Sequence, residues 1–531
     1  MSSFSIIKKY LGLSLLAIGF IYCIFVHFET VRKLKPAGRS DILIAHWQGE
    51  RGCEEALQGI IDEYNELNPE THVRQQVIIG MGSSYLRWCV TQIIGGDPPD
   101  IMEYHQGFRS YLSNYFIGLE KYVNAPNPYN KENELKDTPW KDTFYGGMFA
   151  NFESELMDYY SIPNTLYTQR FYYNKEIFRR ATGSDKAPQT MVEFNEICNK
   201  IKNIGVMPVV IENAKGVTAV YLFNALLSQI GWTIENEIDY NHDGLNQAGE
   251  FMRAFFLDDY QLSSPQFNAA LDLLFEFSRN WGDGFNAIDN TIAPFLFIQQ
   301  KGACYFGGSW LGRQMLDSCD FELGSFPLPL ITENDPIAGQ YYDGPWGENT
   351  KGVGMSLAIS RGPSEDAAAD FLRFLTSKKN NTLFNKGPVW VPGVRGSEVH
   401  PAVEGFKPLI RGKMVSLGMN SSSYNTEIKR ILQNFLGETY SKSQTIEEMA
   451  RVYSESSVKD NLRGARYAWR RLLKVEEVRH RTEDDLLNAD GAQDQAQLRA
   501  RLVNIYETQV FGANSVFDIM GVAQQKENKR D

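Results

Sequence analysis

The sequence is poor in the residues that carry most covalent and metal chemistry. It has 6 cysteines and 7 histidines in 531 residues. No two cysteines stand at metal-ligand spacing, and the histidines are scattered. Cys23 falls inside an apolar stretch, which leaves Cys53, Cys89, Cys198, Cys304 and Cys319. Buried free thiols are the simplest reading of these five, although an exported location would permit a bridge such as Cys304 with Cys319. No G-x-S-x-G, H-E-x-x-H, P-loop or C-x-x-C pattern occurs, so nothing points to an enzyme. Carboxylate pairs such as Glu153 with Glu155 could serve a glycosidase, but paired acids are common in any acidic chain. Positive charge is also short. Lys and Arg number 53 against 65 Asp and Glu, a formal net charge of −12. That balance excludes nucleic acid as the partner, because phosphate binding needs a positive face.

Apolar and aromatic residues are plentiful, at 43% and 13%. A chain this long outgrows one core, so two or three folded units are expected. At the N-terminus, Lys8 and Lys9 precede Tyr10 to Phe28, a run with no charged residue except His27. It approaches the roughly 20 residues that cross a bilayer. Arg32, Lys33 and Lys35 follow, with no small-x-small cleavage site, so the segment reads as an uncleaved signal anchor over residues 1–40 with its linker. A cleaved signal peptide is the alternative. Lipidation at Cys23 fits less well, because Tyr22 stands where a small residue is wanted.

The pattern then becomes β-α-β-α-β. DILIAHW at Asp41 to Trp47 reads as a buried strand, and Leu57, Ile60, Ile61 and Tyr64 recur at helical spacing. A strand at Val73 to Ile79, a helix at Tyr85 to Ile94 and a strand at Ile101-Met102 complete the start of a doubly wound lobe. Further on, Phe171-Tyr172-Tyr173 is a strand, Asn174 opens a short helix, Gly183 breaks it, and Thr190 with Glu193 forms a capping box. Val217 to Ile230 is a buried helix, and Ser264-Pro265 caps another.

Five of these segments carry a resemblance. YYN followed by a short helix, Pro188 and a second helix is one. GGDPPDIMEY, Tyr160 to Pro163, Phe295 to Met315 and Gly352 to Pro392 are the others. In that order they resemble the extracellular solute-binding proteins of ABC importers, in the carbohydrate-binding branch, over roughly residues 41 to 440. The resemblance implies an α/β, two-lobed periplasmic binding protein type II fold. It assigns 41–165 with 291–345 to lobe 1, and 166–290 with 346–440 to lobe 2, the latter with an insertion at 233–262. It also implies an exported protein that binds and releases a sugar or oligosaccharide between the lobes, without catalysis, and delivers it to ABC permease subunits. A membrane-tethered sugar sensor or scaffold on the same fold is the alternative. Residues 441–531 exceed the family core. They read as charged amphipathic helices with a local basic face at Arg466, Arg470, Arg471, Arg479 and Arg481, either packed on a lobe or docking a membrane partner.

Sugars stack on aromatic faces, while carboxylates, amides and guanidinium groups take their hydroxyls. In doubly wound lobes the ligand lies beyond the carboxyl ends of strands. The expected ligand contacts are therefore Trp47, Gln48, Glu50 and Arg51 after the first strand, and Glu103, Tyr104 and His105 after the third. Trp310 and Arg313 follow the Gly307-Gly308 turn, and Trp232, Trp346 and Trp390 lie beside glycines or prolines. Trp47, Trp310 and Trp346 lead. Separately, DYNHDGLNQAGE fits the pattern of a calcium loop. Asp239, Asn241, Asp243, the Leu245 carbonyl and Glu250 would be the ligands of a structural calcium. The alternative is an ordinary polar turn, and no other cofactor is expected.

Overall fold

The computed structural model describes residues 40–528, apart from 81, 109–111, 154–155, 157, 241–247, 258, 349–352, 411, 415–424 and 490. The apolar run at Tyr10 to Phe28 lies outside the described residues. Among the described residues, no single helix is long and apolar enough to cross a membrane.

Two sheets form the cores of two lobes. The first has six strands in the order Val391–Pro392, Ile162–Leu166, Val353–Ile359, Ile101–Glu103, Ser40–His46, Thr71–Val77. The first two strands of the chain pair in parallel, as do Ser40–His46 and Ile101–Glu103. Val353–Ile359 enters antiparallel between Ile101–Glu103 and Ile162–Leu166. The helix Cys53–Leu67 covers one face because Leu57, Ile60, Ile61 and Tyr64 form one buried stripe.

The second sheet has four strands, in the order Leu323–Phe326, Gln169–Asn174, Gly302–Gly308, Met207–Val210. Asn174 caps the following helix by accepting from the backbone N–H groups of Glu176 and Ile177, and Gly183 ends it at φ 79°. The Thr190–Glu193 capping box opens Met191–Asn203. Helices Val217–Ile230 and Pro265–Ser278 fill the core of this lobe.

This pairing corrects the expected division of the later segments. Residues 291–345 carry Gly302–Gly308, which is flanked by strands of lobe 2, not lobe 1. The segment from 353 to 392 returns to lobe 1. GACYFGG and VGMSLAI are both apolar enough to sit in the middle of either sheet, so their composition does not decide the partner. The chain crosses between lobes at 167–168, again between Phe326 and Val353, and again between Pro392 and the helix Asn425–Leu436, which packs in the lobe 2 core.

Two long helices follow, Lys442–Asn488 and Ala492–Asn528, packed against each other as a hairpin. Ser441 and Gln444 form a capping box at the start of the first. Both helices extend beyond the stretches that the charge and apolar pattern mark as amphipathic, Thr445 to Leu473 and Asp494 to Tyr506. The five described cysteines are free thiols, which excludes the Cys304–Cys319 bridge.

Candidate functional site

A cavity of about 1190 Å³ opens between the lobes. Lobe 1 builds its wall from the carboxyl ends of two neighbouring strands. The Tyr85 hydroxyl, fully buried, lies 3.0 and 2.9 Å from the carbonyls of Ala45 and Glu103 and shares its one proton between them, which ties those two ends together. The Trp47 ring meets Tyr85 edge-on at 4.8 Å and His105 at 6.1 Å, so its orientation is held from behind. Glu103 is completely buried. Its carboxylate accepts from the Trp47 backbone N–H at 3.1 Å and from the Gln48 side-chain amide. Burial pushes its pKa up to about 8, against those two hydrogen bonds. Burial also raises the Glu50 pKa and lowers that of His105. The Tyr104 hydroxyl reaches Glu153 at 3.4 Å.

Lobe 2 contributes the end of Gly302–Gly308 and the turn after it. A Cβ on Gly308 would lie 2.3 Å from the Trp310 ring, so glycine is what lets that ring fold back beside the strand. Trp310 is half-buried, meets Tyr167 edge-on at 5.9 Å, and its carbonyl accepts from the Trp390 indole at 3.3 Å. Met355, in the strand that forms the floor, has φ 40°, a strained value of the kind that clusters at binding sites.

Of the expected contacts, the structure brings together Trp47, Gln48, Glu50, Glu103, Tyr104, His105, Trp310 and Trp390 on this cavity. Four lie elsewhere. Arg51 and Arg313 both turn to Asp317, at 3.0 and 3.4 Å, and Arg51 is largely in solvent. Trp232 and Trp346 pack on the lobe 2 core and line a separate small recess with Tyr341 and Asp343. Trp346 is held there by pairing of its strand with Lys413–Met414. Residues not singled out from the sequence include Tyr167, Glu212, Tyr305, Phe149 and Phe152. Glu212 stands two positions beyond Met207–Val210, so the strand-end rule that found Trp47 reaches it too. Tyr167 sits in the interlobe crossing itself.

The calcium candidates are only partly visible. Asn241, Asp243, Leu245 and also Glu155 lie outside the described residues. Asp239 follows the helix Trp232–Ile238, and Glu250 lies in the first turn of Ala248–Phe256. Among the described residues, no three His, Cys, Asp or Glu side chains gather as a metal site.

The family model of the bacterial extracellular solute-binding proteins matches residues 51–382. The chain belongs to that family. This solute-binding protein is 22% identical over 281 residues to an uncharacterized ABC transporter extracellular-binding protein of Pyrococcus horikoshii, covering 49% of this chain and 58% of that one. It is 23% identical over 414 residues to the multiple sugar-binding protein of Streptococcus mutans, covering 74% and 86%. Among solved structures it is similar to the solute-binding protein RafE in complex with raffinose, with TM-score 0.54 and 15% identity over 78% of this chain and 99% of that one. That likeness establishes the two-lobed α/β fold. The C-terminal hairpin lies beyond the residues matched by the family model.

Proposed function

We propose that this protein captures a carbohydrate, a sugar or short oligosaccharide, between its lobes on the outer side of the membrane and passes it to an ABC importer. The cavity carries the reading. It is large enough for several sugar rings, and three indoles, Trp47, Trp310 and Trp390, share its lining with Gln48, Glu50 and Glu103. Flat apolar faces for stacking and planar acceptors for hydroxyls are what sugar recognition needs. The multiple sugar-binding relative and the raffinose complex support the same ligand class. The protein works by binding and release, the ligand favouring the closed state of the lobes. The test is a calorimetric titration of the protein with neutral mono- and oligosaccharides, with amino acids and peptides as controls. Saturable heat with a sugar supports the reading, and heat only with peptides overturns it.

The run Tyr10 to Phe28 would serve as an uncleaved anchor. The whole protein then fractionates with membranes, and deleting residues 1–35 from a chain exported by other means releases it. A wild-type N-terminus found near Gly38 by sequencing contradicts the anchor.

A further inference from the structure

The C-terminal hairpin touches both lobes, and each of its helices does so separately. Near its start, Lys442–Asn488 buries Met449, Val452 and Tyr453 in the lobe 2 core, where Phe255 meets the Tyr453 ring at 5.6 Å. Lys442 pairs with Asp272 of lobe 2 at 2.8 Å. Farther along the same helix, Val475 and Val478 are buried in a different apolar cluster, with Tyr85, Phe108, Phe116 and Tyr160 of lobe 1. Tyr453 and Val475 stand about 33 Å apart at 1.5 Å of rise per residue. The returning helix repeats the bridge in reverse. Ile505 joins the lobe 1 cluster, and Arg501 pairs with Glu120 at 3.0 Å and Asp158 at 3.5 Å. Toward its end, Asp518 pairs with Arg253 of lobe 2 at 3.3 Å.

We infer that this hairpin is a strap across the two lobes that holds their relative angle and so regulates opening of the ligand cleft. The chain also joins the lobes three times, through segments with no long helix among their described residues. Two helices packed side by side are stiff by comparison, because bending them breaks backbone hydrogen bonds. A rotation of one lobe must therefore carry the hairpin along and shear its seat on the other. The lobe 1 seat is coupled to the cleft directly. Trp47 and Tyr104, which line the cavity, pack against the same cluster that holds Val475, Val478 and Ile505. The inference rests on the capture reading above for its consequence, and on the contacts alone for the strap.

The experiment measures the distance distribution between bioorthogonal spin labels at Lys131 in lobe 1 and Lys200 in lobe 2, in the full chain without ligand. The wild type gives one narrow distribution. Arg501→Glu, which sets a carboxylate against Glu120 and Asp158, broadens it toward longer distances, while circular dichroism shows the helices intact. Asp518→Lys, on the exposed end of the hairpin, broadens it less and guards against a folding defect in the first variant. Distributions that overlay in all three proteins, or a wild type already as broad as the variants, overturn the strap. Because no ligand is added, this outcome is independent of whether the cleft binds sugars.

Discussion

The carboxyl of Glu103 lies wholly out of water, faces the cavity, and is tied by hydrogen bonds to Trp47 and Gln48. In the folded protein it holds its proton up to about pH 8, against an ordinary value of 4.5. The sign of its effect follows from linkage. The unfolded chain releases this proton at lower pH, so the stability tied to it is complete below about pH 4.5 and falls as pH rises toward 8. Its carboxylic neighbour Glu50 adds to the rise. Glu103→Gln keeps the shape and removes the titration, although the amide offers one acceptor oxygen in place of two. Denaturant unfolding between about pH 5 and 8 should show a flatter stability curve for the variant than for the wild type. Parallel curves would mean that Glu103 is ionised and solvated throughout. At this scale the sequence was legible where a side chain follows a strand end, as with Trp47, Gln48, Glu103, Tyr104 and Trp310. It misled where a local partner outcompeted the cavity. Asp317 claims Arg51 and Arg313. The Arg313 pair is an i,i+4 pair on one helix and could be read from the sequence, whereas Arg51 comes from the other lobe and could not.

Elements were more legible than side chains, because a periodicity or a cap is a local property. Val217–Ile230 and the Thr190–Glu193 box appear as their residues dictate. The candidate calcium loop is an element question too. Trp232–Ile238 runs up to Asp239, and Ala248–Phe256 begins two residues before Glu250. A helix on each side is the setting in which a twelve-residue oxygen loop closes on calcium. If calcium binds here, saturating ion raises the melting temperature by about 2–8 °C, the scale set by ligand linkage. EDTA reverses the rise, and Glu250→Gln abolishes it by removing the bidentate carboxylate. A melt indifferent to chelator, with no calcium by elemental analysis, leaves 239–250 as a polar turn.

For the whole molecule, the two-lobed plan could be read from the order of five segments, but the assignment of strands to lobes could not. Gly302–Gly308 and Val353–Ile359 are each interior strands, paired with a neighbour on both edges. Such strands read as uniform apolar runs, and nothing in them names their neighbours. The hairpin was legible as helix and charge, but its reach across both lobes depends on packing between residues hundreds of positions apart. The central claim is that the space between the lobes holds a sugar against indole faces. Calorimetric titration with an oligosaccharide series tests it most directly, run on the wild type and on Trp310→Ala. The account predicts saturable binding by the wild type, with affinity weakened in the variant by roughly 1–3 kcal/mol, the worth of one buried aromatic face, and with little change in unliganded stability. Unchanged affinity in a Trp310→Ala protein that has lost much of its unliganded stability would contradict it.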